Sequence, residues 1–115
     1  MTLRQKQSVF ARLVAGLIMR IDSEGYEVTF GETYRTPEQA ALNAKAGKGI
    51  AASLHTQRLA IDLNLFKDGK YLSASESHRR FGDWWEALST REYTCCWGGR
   101  FGDGNHYSIS HGGRK

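Results

Sequence analysis

Two histidines and two aspartates are the residues of this chain best suited to chemistry. His55 and Asp62 lie seven positions apart, and Asp103 precedes His106 by three. Imidazole nitrogens and a carboxylate oxygen are what a hydrolytic zinc centre uses, with three protein ligands and one position open to water. Zinc lowers the pKa of that water, and a carboxylate held off the metal can take its proton and pass it to a leaving amine. His55, Asp62 and His106 suit the ligand role, and Asp103 suits the proton-carrying role. Each has a plainer reading when taken alone, since a lone His is commonly a surface or core residue and an Asp beside glycine a turn former. Asp62 raises the set above that, because it interrupts an otherwise apolar strand, where an ionised group is costly unless paired.

The elements that position these groups follow from periodicity. Leu3 to Ile21 places Val9, Phe10, Leu13, Val14, Leu17, Ile18 and Ile21 at helical spacing, with Thr2 as N-cap and Gly25 beyond the end. Tyr26 to Thr33 alternates and is rich in aromatic and β-branched residues, which predicts a strand. Thr36-Pro37-Glu38 opens a helix that runs through Gln39 to Ala46 and stops at Gly47. A glycine-containing loop from Lys48 to Leu54 then delivers His55.

Arg58 to Phe66 alternates, with Leu59, Ile61, Leu63 and Leu65 on one face and Ala60, Asp62 and Asn64 on the other. Asp68-Gly69 predicts a hairpin whose return strand is Lys70-Tyr71-Leu72. A helix capped by Ser75 or Ser77 runs to Leu88 and buries Phe81, Trp84, Trp85 and Leu88. Glu92 to Trp97 reads as a strand, Gly98 to Asn105 as a glycine-rich loop, and His106 to Ser110 as the last strand. The sum is an α+β domain with helices on one face of a small, mainly antiparallel sheet. His55 then sits at a loop edge, Asp62 on the polar face of its strand, and His106 at the start of another.

Composition bounds the partners. With 115 residues, 40% of them hydrophobic and 24% charged, the chain reads as a single soluble domain. The net charge of +4 favours anionic partners. Its basic residues scatter as Arg4/Lys6, Lys45/Lys48, Arg79/Arg80 and Arg114/Lys115, which suits a solvated surface better than a nucleic-acid interface. The apolar run from Leu13 to Ile18 is too short for stable membrane insertion, and no signal peptide is visible, so the chain is expected to stay in the cytoplasm. Cys95 and Cys96 are adjacent and could bridge only through a strained ring, so they are expected as reduced thiols on a strand. His78, at a charged helix start, and His111, in a glycine-rich tail, are expected to face solvent.

The stretch Ser53-x-His55-x-x-x-x-Ala60-x-Asp62, followed by Asp103-x-x-His106, resembles the zinc-dependent peptidoglycan peptidases of family M15. These include D-alanyl-D-alanine carboxypeptidases and dipeptidases of the VanX/VanY type and the L-alanyl-D-glutamate endopeptidases of phage endolysins. The likeness runs from about Tyr34 to Tyr107. It implies a single zinc peptidase domain over residues 1–115, with a hedgehog/D-Ala-D-Ala-peptidase-like fold. His55, Asp62 and His106 would be the Zn2+ ligands and Asp103 the catalytic acid/base. Tyr34-Arg35-Thr36, with Gln39 one helical turn on, resembles the Tyr-Arg-Ser/Thr segment that precedes the metal motif in the family. Arg35 would face the substrate and polarise the scissile carbonyl or neutralise the oxyanion, and Gln39 would contact substrate. Ser53 would support His55 or the substrate. The chain departs from the pattern at Arg58, where many members have Gly, and at Tyr107-Ser108, where an aromatic-Glu pair is more usual. Arg58 would narrow the site or add a carboxylate-binding group.

The resemblance implies hydrolysis of a bond in the peptidoglycan stem peptide. Small size fits a phage-type endopeptidase, expected as a monomer, that stays in the host cytoplasm and reaches the wall after membrane permeabilisation, where basic charge would help it adhere to an anionic surface. The same metal chemistry also serves a D-alanyl-D-alanine carboxypeptidase or dipeptidase. A non-catalytic, zinc-stabilised wall-binding module is a third reading, and it has no need of Asp103. A nucleic-acid-binding module would instead bind DNA in a salt-sensitive way, indifferent to chelator.

Overall fold

In the computed structural model, which describes residues 1–47 and 53–115, the first amphipathic stretch is helix α1, Leu3–Ser23. Thr2 and Gln5 cap it reciprocally, each side chain accepting from the other's backbone N–H. Its stripe of Phe10, Leu13, Val14, Leu17 and Ile21 is buried. Strand β1 is Glu27–Phe30 and helix α2 is Pro37–Lys45, capped by Thr36. Strands β2 (Ala60–Lys67) and β3 (Lys70–Tyr71), helix α3 (Arg79–Glu86), and strands β4 (Cys95–Trp97) and β5 (His106–Ile109) follow. Short 3-10 turns occupy Leu54–Gln57, Ser75–His78 and Gly98–Phe101. Residues 48–52, most of the loop expected before His55, lie outside the described residues.

The strands form one antiparallel sheet in the order β1-β2-β5-β4, with β3 also paired to β2. This is the α+β class expected. The register sets Ile61 opposite Tyr107, and Tyr107 opposite Trp97. Alternation therefore gathers Ile61, Leu63, Leu65, Tyr107, Ile109, Cys95 and Trp97 into one core with α1 and α3. Each such aliphatic or aromatic side chain removed from water contributes on the order of 2 kcal/mol. The buried indoles also satisfy their N–H groups: Trp85 Nε1 donates to Ser108 O at 3.0 Å, and Trp97 Nε1 donates to Gly104 O at 2.7 Å. The second bond ties the loop before β5 to the core. The opposite face of β2 and β5 carries Asp62 and His106.

The structure departs from the sequence reading where the backbone does something irregular. β1 ends at Phe30 rather than Thr33. Gly31 N–H donates to Asp62 O at 2.8 Å, while Asp62 N–H donates to Glu32 O at 2.9 Å, so two residues face one in a bulge. A Cβ on Gly31 would lie 3.1 Å from both the Cβ and the carbonyl oxygen of Asp62, so a side chain there would crowd the Asp62 strand. α3 begins at Arg79, and no serine caps it, because Ser75 Oγ accepts from Gly104 N–H at 2.9 Å instead. β4 begins at Cys95 rather than Glu92.

His78 does not face solvent. It is 3% exposed, with Nδ1 2.9 Å from the Tyr107 hydroxyl, and burial brings its pKa down to about 4. The helix start turns inward at this position, which the charges on either side of it concealed. His111 is half-buried, with Nδ1 3.3 Å from Lys6 Nζ. Both thiols are free and buried, and burial pushes Cys95 up to about 12. Among the described residues no helix is long and apolar enough to cross a membrane.

Candidate metal centre

Three different elements deliver the three side chains. The turn Leu54–Gln57 carries His55; Ser53 Oγ accepts from the His55 backbone N–H at 3.2 Å and so caps that turn. His55 O in turn accepts from Arg35 N–H at 3.2 Å, which fastens the segment before α2 to the turn. Asp62 and His106 are direct partners across β2 and β5, so their side chains leave the same face.

Asp62 Oδ1 lies 3.3 Å from His55 Nε2 and 3.4 Å from His106 Nδ1. One ligand atom from each residue falls within 4.8 Å of the others, so the three could hold a metal ion. The two imidazole rings stand at 72° to each other with centroids 5.2 Å apart.

The electrostatics fit a cation. Asp62 Oδ1 is buried and has no hydrogen-bond partner among the described residues. Burial by itself would raise the Asp62 pKa, but the His106 and His55 rings more than offset it and hold the carboxyl at about 2. A buried carboxylate oxygen set between two imidazoles is a donor set of two nitrogens and one oxygen, which suits a divalent transition metal.

Asp103 stands beside the cluster rather than in it. Its N–H donates to Gly98 O at 2.9 Å, and its carbonyl accepts from His106 N–H at 3.1 Å. Its carboxylate Oδ2 is 4.0 Å from His106 Nδ1, with the side chain 52% exposed. Partial burial, then the nearby charge of Asp62, raises its pKa above the usual carboxylate value.

A cleft of about 320 Å³ joins the cluster to Asp103, Arg35, Ser53 and Phe101, with Arg114 and Lys115 also in its wall. Arg35 is mostly buried there; its guanidinium pairs with Glu32, and its Nε has no partner among the described residues. Gln39 lies elsewhere, on the exposed face of α2, with its amide donating to Asn43 Oδ1 at 2.7 Å. Arg58 is also elsewhere. It lines a separate apolar hollow with Phe10, Val14 and Tyr34, its guanidinium 4.0 Å above the Tyr34 ring centroid.

Three features of the site are absent from the sequence reading. Glu32, set by the bulge after β1, lies 3.6 Å from His55 Nδ1, just beyond hydrogen-bond range, and pairs with Arg35; a carboxylate in this place is suited to orient an imidazole if that imidazole ligates. Its one visible signal was an acidic residue three positions before Arg35. Phe101 is 54% exposed at the cleft, its ring centroid 6.0 Å from that of His106. Arg114 and Lys115, read as solvated charge, reach the cleft wall. Compared with models of known protein families and with curated proteins, the chain matches none.

Proposed function

We propose that this chain is a zinc-dependent peptidase that hydrolyses a peptide bond in the stem peptide of peptidoglycan, as an L-alanyl-D-glutamate endopeptidase of the phage-endolysin kind. On this reading its α+β domain is a member of the hedgehog/D-Ala-D-Ala-peptidase-like folds. One observation carries the proposal: His55, Asp62 and His106 converge within ligand distance, and a fourth side chain, the uncommitted carboxylate of Asp103, shares their cleft. Zinc bound there would supply a Lewis acid and a water of lowered pKa.

The rest falls to the chain's own groups. Asp103 has the raised affinity for a proton that suits a carboxylate taking one from water and giving it to the departing amine. The Nε of Arg35, without a partner among the described residues, is a donor for a developing oxyanion. Glu32 fixes the guanidinium in place. The charge of +4 draws the protein to an anionic wall, reached from the host cytoplasm once the membrane is permeable.

Incubation of the zinc-loaded protein with purified muropeptides, followed by mass analysis of the products, tests the proposal. The expected products are split between L-alanine and D-glutamate. Free D-alanine would replace this with the carboxypeptidase or dipeptidase reading. Intact muropeptides with zinc bound would leave a wall-binding module.

A further inference from the structure

We infer that the hairpin His111–Arg114 is a specificity element of the cleft, in which Arg114 and Lys115 bind a carboxylate on the substrate residue next to the scissile bond. This rests on the peptidase reading and adds the feature of the substrate that the chain selects.

The hairpin is built rather than frayed. His111 N–H donates to Arg114 O at 3.1 Å, and Arg114 N–H donates back to His111 O at 3.0 Å. Between them Gly112 and Gly113 have φ of 57° and 78°. A two-residue turn with both central residues left-handed is the tight reversal that fits strand twist, and glycine adopts it without steric cost. Lys6 of α1 anchors its base, donating from Nζ to Ser110 O at 3.3 Å. The reversal turns Arg114 and Lys115 back into the wall of the cleft that holds Asp103 and the metal ligands.

The charges there are unspent. Arg35 is engaged by Glu32, whereas Arg114 and Lys115 form no ion pair among the described residues. On the other side of Asp103 lies a second hollow of about 190 Å³, walled by Ser73, Ser75, His78 and Asn105 and without a described Lys or Arg. An anionic group is therefore drawn to the side of the hairpin. Both peptide bonds under consideration have an α-carboxylate on the residue whose amine departs. Arginine meets such a group with a planar fork of donors and lysine with a point charge.

Steady-state kinetics on two stem peptides test this, one with a free α-carboxylate on the D-glutamyl residue and one with the α-carboxamide. The unaltered protein is compared with the double variant Arg114→Gln/Lys115→Gln, with zinc content measured in parallel. Both side chains are exposed, so the fold tolerates the change. The unaltered protein is expected to favour the carboxylate peptide. The variant is expected to keep its zinc, to raise KM for that peptide roughly tenfold with a smaller change in kcat, and to lose the preference. An unchanged KM and an unchanged preference in the variant would overturn the inference. Failure of the unaltered protein to cleave either peptide would overturn the peptidase reading instead. Binding of the two peptides would then decide the hairpin's role, with equal affinity of protein and variant for the carboxylate form counting against it.

Discussion

Asp62 and His106 stand directly opposite each other on β2 and β5, with Asp62 Oδ1 3.4 Å from His106 Nδ1. Strand register, not nearness in sequence, makes them neighbours. A slip of one residue would turn either side chain into the core, so the same pairing that buries Ile61 against Tyr107 aims two candidate metal ligands. His55 completes the set from a turn whose backbone is fastened to both Ser53 and Arg35.

Asp103→Ala is expected to leave the metal in place and remove most of the hydrolysis. Its carboxylate is 4.0 Å from His106 Nδ1 and stands outside the candidate ligand cluster among the described residues, so the loss is expected to fall on proton transfer. General acid–base groups contribute roughly 100- to 10,000-fold, and kcat on stem peptide is expected to drop within that range. Parallel metal analysis and kinetics check it; full turnover by this variant removes Asp103 from the mechanism.

Glu32→Gln tests the outer carboxylate. Glu32 lies 3.6 Å from His55 Nδ1 and also pairs with Arg35. Loss of such a partner typically weakens metal affinity roughly 10- to 100-fold. Competition with a chelator of known affinity measures it, and an unaltered constant would show that Glu32 serves Arg35 alone.

His78 makes the fold sensitive to acid. Burial lowers its pKa from 6.5 to about 4 in the folded chain, so between those values the unfolded chain binds more protons. Stability is therefore fully present above pH 6.5 and is lost as pH falls towards 4, by about 3 kcal/mol in all. His78→Gln keeps a polar partner for Tyr107 and removes the titration. Urea unfolding at neutral pH and near the lower limit should show a smaller gap between midpoints in the variant; an equal gap would assign the acid sensitivity elsewhere.

Arg58→Gly is expected to be tolerated. Arg58 closes the turn Leu54–Gln57 with φ of 54°, a left-handed conformation that glycine takes freely. The substitution relieves that strain and loses the stacking on Tyr34, effects of about 1 kcal/mol each and opposite in sign. Thermal unfolding should shift little, and kcat/KM should not move, because Arg58 lines a different hollow from the candidate metal ligands. A large fall in kcat/KM would return Arg58 to the substrate.

Much of this was legible because regular elements announce themselves locally. Thr2 and Thr36 cap the helices that they were expected to cap, and Asp68-Gly69 makes the hairpin turn with both φ values positive. The alternation around Asp62 gave its direction, since period two leaves only two faces. What escaped depends on contacts distant in sequence. The bulge at Gly31 and Glu32 exists because Asp62 approaches from another strand, and no local pattern records that. His78 is buried because Tyr107, on β5, offers it a hydroxyl. The tail read as solvated charge because nothing in Gly112-Gly113-Arg114-Lys115 shows where a tight reversal points.

The central claim is that His55, Asp62 and His106 hold a metal, and elemental analysis of the purified protein beside His55→Ala, Asp62→Asn and His106→Ala tests it most directly. The expected result is a single zinc ion per chain in the unaltered protein and far less in each variant, with all four proteins folded. Zinc absent from the unaltered protein after equilibration with the metal, or retained equally by the folded variants, would contradict it.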